Sequence, residues 1–135
     1  MEKEICKVMC VKNEKKEIAI LELTECEDCV SIEFELGEKS LKKEGDTYFE
    51  TLIELRRELE KNNIKLLCKG CCKNVYPSPM ILSMGVGRSA YILTLGQQAK
   101  KDSLVDIFDQ CLLEEYATVE EQLQFYNMWI YSLRK

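Results

Sequence analysis

Residues 29–36 read Cys-Val-Ser-Ile-Glu-Phe-Glu-Leu. Val30, Ile32, Phe34 and Leu36 fall on one side of an extended chain, and Ser31, Glu33 and Glu35 on the other. That alternation is the signature of a strand with one face on a core and one in water. Strands of this kind belong to antiparallel sheets, because parallel strands are usually covered on both faces. Two further segments precede it. Residues 4–12 and 16–24 are rich in strand formers and are separated by the polar turn Asn13-Glu14-Lys15. Three strands with short polar connections predict an antiparallel meander.

Gly45-Asp46 then predicts the start of a helix, with Asp46 as N-cap. Tyr48, Leu52, Leu55 and Leu59 form its apolar stripe, widened by Phe49 and Ile53, and Asn62-Asn63 ends it. Residues 64–68 read as a fourth strand and 89–95 as a fifth, closed by Gly96. Residues 103–113 fit helical spacing through Leu104, Val105, Phe108, Cys111 and Leu112. Thr118-Val-Glu-Glu121 is a capping box that opens a last helix. Val119, Leu123, Tyr126, Ile130 and Leu133 are its expected buried stripe, broadened by Phe125, Met128 and Trp129. The predicted class is α+β, order β-β-β-α-β-β-α-α, with helices on one side of a mostly antiparallel sheet.

At 135 residues, 46% hydrophobic and 32% charged, residues 1–135 read as one globular domain able to bury its own core. No apolar run approaches the roughly 20 residues of a membrane helix, and the charged start Met-Glu-Lys-Glu lacks a signal-peptide core. The expected location is cytoplasmic. There thiols stay reduced, so the eight cysteines do not predict disulfides. Cys6, Cys10 and Cys111 sit in apolar runs and read as small packing residues. The chain contains no histidine, which excludes Ser-His-Asp and Cys-His catalysis and any imidazole-ligated zinc. No catalytic residue and no cofactor is expected.

Charge is laid out in blocks. Residues 1–60 hold seventeen acids and ten bases, a balance of −7. Residues 61–101 hold seven bases (Lys61, Lys65, Lys69, Lys73, Arg88, Lys100, Lys101) and no acid. Residues 102–135 hold seven acids and two bases, a balance of −5. Such blocks either cancel across the fold or mark interaction surfaces.

The segment Cys-Lys-Gly-Cys-Cys-Lys-Asn-Val-Tyr-Pro-Ser-Pro-Met-Ile-Leu-Ser-Met-Gly-Val-Gly-Arg, residues 68–88, admits several readings. Cys26-x-x-Cys29 and Cys68-x-x-Cys71 offer four thiolates for zinc, but neither pair carries a knuckle glycine after its second cysteine. A redox role is disfavoured, because Cys26-Cys29 precedes a strand and lacks a helix dipole. Met84-Gly-Val-Gly-Arg88 resembles a phosphate loop only superficially, since a strand follows where a helix N-terminus is needed. The basic segment with Tyr76 and Tyr91 could bind nucleic acid through phosphate contacts and stacking. Val75-Tyr-Pro-Ser-Pro79 reads as a rigid extended path, with the Tyr76–Pro77 isomer left open.

Leu66-Leu-Cys-Lys-Gly70, Lys73-Asn-Val-Tyr-Pro-Ser78 and Met84-Gly-Val-Gly-Arg-Ser-Ala-Tyr91 together resemble a family of small bacterial immunity-type proteins. These are associated with polymorphic-toxin and contact-dependent growth inhibition loci. The resemblance spans about residues 53–109. In the family pattern, polar or small residues stand in the region of Gly70-Cys71-Cys72, which argues against an obligatory zinc site. The resemblance implies a non-enzymatic protein that binds and neutralises one cognate toxin domain, with no cofactor. Many such toxins are nucleases with basic clefts, which an acidic surface would fit. From Asp102 to Tyr131 there are seven acids and no lysine or arginine. The candidate partner-binding residues are Asp106, Asp109, Glu114, Glu115 and Tyr116, with Tyr76 and Arg88. Nucleic acid binding by residues 61–101 and a Cys26, Cys29, Cys68, Cys71 zinc site remain the alternatives.

Overall fold

A computed structural model describes residues 2–84 and 86–134. Strands Glu2–Lys12 (β1) and Lys15–Glu25 (β2) form a long hairpin, with Glu2 opposite Glu25 and Lys12 opposite Lys15. Its two turn residues, Asn13 and Glu14, have φ of 51° and 68°. A two-residue turn with both φ positive matches the right-handed twist of the flanking strands. Val30–Leu36 (β3) follows as its alternation requires, with Val30, Ile32, Phe34 and Leu36 all buried. Two strands complete the sheet: Lys39–Gly45 (β4) and Ile64–Leu66 (β5). The order is β4-β3-β2-β1-β5, antiparallel throughout.

The helix Tyr48–Lys61 (α1) covers one face of this sheet with Tyr48, Phe49, Leu52, Leu55 and Leu59. Its cap is Thr47 and not Asp46. The Thr47 hydroxyl accepts from the Glu50 N–H at 3.2 Å and donates to the Glu50 carboxylate at 2.9 Å. The opposite sheet face is open. It carries Ile5 (58% exposed) and Ile18 (59%) among charged residues such as Lys3, Glu22 and Glu35.

A second sheet lies beyond α1. It is formed by Val75–Tyr76 (β6), Ser89–Ile92 (β7) and Leu104–Asp106 (β8), in the order β6-β7-β8. A short helix, Pro79–Met84 (α2), connects β6 to β7, and the helix Val119–Ser132 (α3) ends the described chain. One contiguous apolar cluster runs from Val8 and Phe34 in the first sheet to Ala90 in the second and Ile107 just after β8. The Tyr76–Pro77 bond is trans, as are all described peptide bonds.

The α+β class stands, and several local features differ from the sequence reading besides the cap of α1. The strand β4 was not expected, because its sequence Lys-Ser-Leu-Lys-Lys-Glu-Gly has one apolar residue. It is an edge strand that pairs only with β3, and charged side chains suit an exposed edge. The expected helix at 103–113 is absent. Val105 pairs with Ala90, and the Ile107 N–H donates to the Arg88 carbonyl at 2.9 Å, so sheet pairing outcompetes a marginal helical pattern. The segment 79–84 is helical, with the Ser78 hydroxyl accepting from the Ile81 N–H at 3.1 Å. The stripe of α3 is rotated: Val119 and Gln122 are its buried residues, while Leu123, Met128 and Tyr131 are 37%, 57% and 74% exposed.

Arg88 ties the two sheets together. Its guanidinium donates to both Glu4 oxygens at 2.7 and 2.9 Å and to Asp106 at 3.1 Å, and lies 5.4 Å from the Phe108 ring centroid. The Arg88 bond holds the Glu4 carboxyl below the usual range. Replacing Arg88 with alanine should lower unfolding free energy by about 1–2 kcal/mol, as expected for half-exposed charged hydrogen bonds. Urea denaturation reads this, and a loss under about 0.3 kcal/mol would rule out a clamp at Arg88.

Candidate functional site

The segment 68–76 is a scaffold locked from beneath by a buried polar hub. A 3-10 turn spans Lys69–Cys71 because residues 68–72 must bend sharply between β5 and β6. Arg56, on the core face of α1, is 1% exposed. One terminal nitrogen donates to the Gly70 carbonyl (3.1 Å) and the Gln122 side-chain oxygen (2.7 Å), the other to the Ala117 carbonyl (2.8 Å). The Gln122 amide nitrogen donates to the carbonyls of Gly70, Cys72 and Val75 at 2.8–2.9 Å. Among the described residues, only the Arg56 Nε lacks a partner in a buried side chain. Two polar side chains thus satisfy carbonyls that a buried irregular loop would otherwise leave open.

The loops around this hub carry the acids. A 3-10 turn at Leu113–Glu115 precedes the Thr118 cap of α3. Glu115 accepts from the Leu112 N–H at 2.8 Å and stands 4.0 Å from the Lys69 ammonium. Glu121 accepts from the Thr118 N–H at 2.9 Å, and this bond to backbone holds its carboxyl below the usual range. Asp109, Glu114 and Glu120 are exposed, and among the described residues no side-chain hydrogen bond or ion pair engages them. In the same stretch of chain Leu112 (59%), Leu113 (40%) and Leu123 (37%) reach solvent.

The other sequence candidates have internal roles. Asp106 pairs with Arg88 and also accepts from the Phe108 N–H at 2.9 Å. Tyr76 stacks on Tyr126 with ring centroids 3.9 Å apart and meets Phe49 edge-on at 5.0 Å. Tyr116 is half-buried, its hydroxyl pushed up by desolvation, with the Lys65 ammonium 5.7 Å from the ring centroid. Lys65, Lys69 and Arg88, three of the seven bases in 61–101, are therefore engaged inside the molecule. The charge blocks partly cancel there, while Lys61, Lys73, Lys100 and Lys101 are exposed and, among the described residues, in no ion pair. Gly85 of the Gly-x-Gly pair lies outside the described residues. Gly87 adopts φ +70° with the Thr47 side chain against it, a turn entering β7.

The four-cysteine zinc pairing does not assemble. Cys26 and Cys29 close the β2–β3 turn, where the Cys26 N–H donates to the Cys29 carbonyl at 2.9 Å. Cys68 and Cys71 sit beside the opposite half of β1, where the Leu67 N–H donates to the Met9 carbonyl at 2.9 Å. At ~3.3 Å per strand residue the two pairs are separated by roughly 20 Å. A different set does converge: donor atoms of Cys72, Cys111 and Glu115 lie within 4.8 Å of one another. The packing role expected of Cys111 holds for its burial, at 3% exposed, and omits this neighbourhood.

No protein-family model matches the chain, and no curated protein matches it. Among the described residues, no helix is long and apolar enough to cross a membrane.

Proposed function

We propose that this protein is a binding protein of the immunity type, which neutralises a partner toxin domain by covering a basic surface on it. The observation that carries this reading is that Asp109, Glu114 and Glu120 are exposed and, among the described residues, in no ion pair, while Leu112, Leu113 and Leu123 of the same stretch of chain, 109–123, also reach solvent. This exposed acidic stretch is the proposed binding face, and apolar and charged side chains exposed together suit a protein interface. Acid facing base speeds encounter and selects the partner. The hub beneath the face keeps its loops preformed, which lowers the ordering cost of binding. The resemblance of residues 53–109 to immunity-type proteins agrees with this role. The proposed activity involves no bond making or breaking.

The test is co-expression with each toxin-like domain found encoded beside this gene, followed by stopped-flow association of the purified pair. Protection of growth and a complex are expected. The double variant Glu114→Lys/Glu120→Lys should fold normally and associate about 10–100 times more slowly at low salt, with the difference shrinking as salt rises. An unchanged association rate would move the interface elsewhere. Failure to protect against, or bind, any neighbouring toxin domain would end the proposal.

A further inference from the structure

We infer that Cys72, Cys111 and Glu115 form a binding site for a tetrahedral divalent cation of zinc type. The three donors come from three separate segments: the end of the 69–71 turn, the loop after β8, and the 113–115 turn. Their donor atoms already lie within 4.8 Å of one another. A tetrahedral zinc ion, with bonds of about 2.3 Å to sulfur and 2.0 Å to oxygen, needs ligand atoms ~3.3–3.8 Å apart. The present spread of donor atoms exceeds that by roughly 1 Å.

The backbone is held for this purpose on every side. Cys72 bridges to Tyr116. The Cys111 N–H donates to the Leu67 carbonyl at 3.1 Å, and the Lys73 N–H to the Glu115 carbonyl at 3.1 Å. Cys72 and Cys111 are 1% and 3% exposed, whereas the Glu115 side chain is 42% exposed. Two sulfurs therefore anchor the ion from the protein side, the carboxylate closes over it, and a fourth position faces water.

Metal loading is coupled to proton release. Loading converts two thiols to thiolates and releases up to two protons. The Lys69 ammonium, 4.0 Å from Glu115, offsets part of the excess negative charge of two thiolates and a carboxylate around a divalent ion. This site shares neither Cys26 nor Cys29 with the pairing suggested by the C-x-x-C spacing, and it does not depend on toxin binding.

The experiment titrates reduced, chelator-stripped full-length protein with Zn²⁺ against a chromophoric competitor. Cd²⁺ serves as the spectroscopic probe through its thiolate charge-transfer absorption. One equivalent should bind with a dissociation constant below about 1 μM, well inside the range of protein zinc sites. Proton release into weak buffer should approach two per ion. Cys72→Ser and Cys111→Ser should each weaken binding at least ~100-fold, Glu115→Gln about tenfold, and Cys26→Ser/Cys29→Ser not at all. Circular dichroism of each metal-free variant shows whether it is folded. Wild-type protein that binds neither ion overturns the site, whatever the variants do. So does Cd²⁺ absorption that persists in folded Cys72→Ser and Cys111→Ser proteins.

Discussion

Replacing Arg56 with alanine is expected to destabilise the protein by about 4 kcal/mol, against the 5–15 kcal/mol that holds a typical domain together. The guanidinium supplies donors to the Gly70 and Ala117 carbonyls and to the Gln122 side chain, all within the core. Each buried acceptor left open costs ~1–3 kcal/mol, and the emptied volume adds a cavity cost. Removing a buried positive charge returns part of this, because its desolvation cost also disappears. Arg56→Met separates the two effects. It keeps most of the volume and loses the donors, so about 2 kcal/mol is expected. Urea unfolding monitored by tryptophan fluorescence measures both. A loss under about 1 kcal/mol for the alanine variant would show that the loop holds itself without the hub. The double variant Arg56→Met/Gln122→Leu should lose less than the two single losses summed, because the 2.7 Å bond from Arg56 to the Gln122 side-chain oxygen is broken in either single variant and counts once.

Gly70→Ala should cost about 2–3 kcal/mol, the upper range for overpacking a core. An added Cβ would stand 2.6 Å from a Leu52 methyl, 3.0 Å from the Ile107 Cβ and 3.3 Å from the Ile107 carbonyl oxygen. Leu52 can turn aside, but Ile107 is β-branched, 0% exposed and fixed by the Gly70 N–H bond to its carbonyl at 2.8 Å. The residue has to be small because α1 and the loop after β8 press on it from two sides. A variant as stable as the wild type in thermal unfolding would mean that this contact yields freely. Loss of stability together with reduced Cd²⁺ absorption would be consistent with the 69–71 turn also positioning Cys72.

Much of this was readable before any coordinates. The alternation of residues 30–36 dictates a strand with a wet face, because side chains of an extended chain point to opposite sides in turn. The leucine spacing of residues 52–59 and the Thr118–Glu121 box dictate helices for equally local reasons. Two signals were present but overridden by their chemistry. Arg56 lies four residues after Leu52 and three before Leu59, on the buried stripe. Gln122 lies three after Val119 on the face of α3 that turns inward. Both are polar, and polar residues are ordinarily assigned to water.

Local sequence determined the elements of this protein: the hairpin, the half-wet strand, the two capped helices and the absence of imidazole chemistry. Only the tertiary structure decided which face of α3 turns inward, that residues 104–106 pair with β7 instead of coiling, and that Cys72 meets Cys111 while Cys26 does not meet Cys68. Short-range periodicity is set by backbone geometry within a few residues. Which distant segments touch is set by competition for a shared core and for hydrogen-bond partners, and chain spacing does not encode that competition.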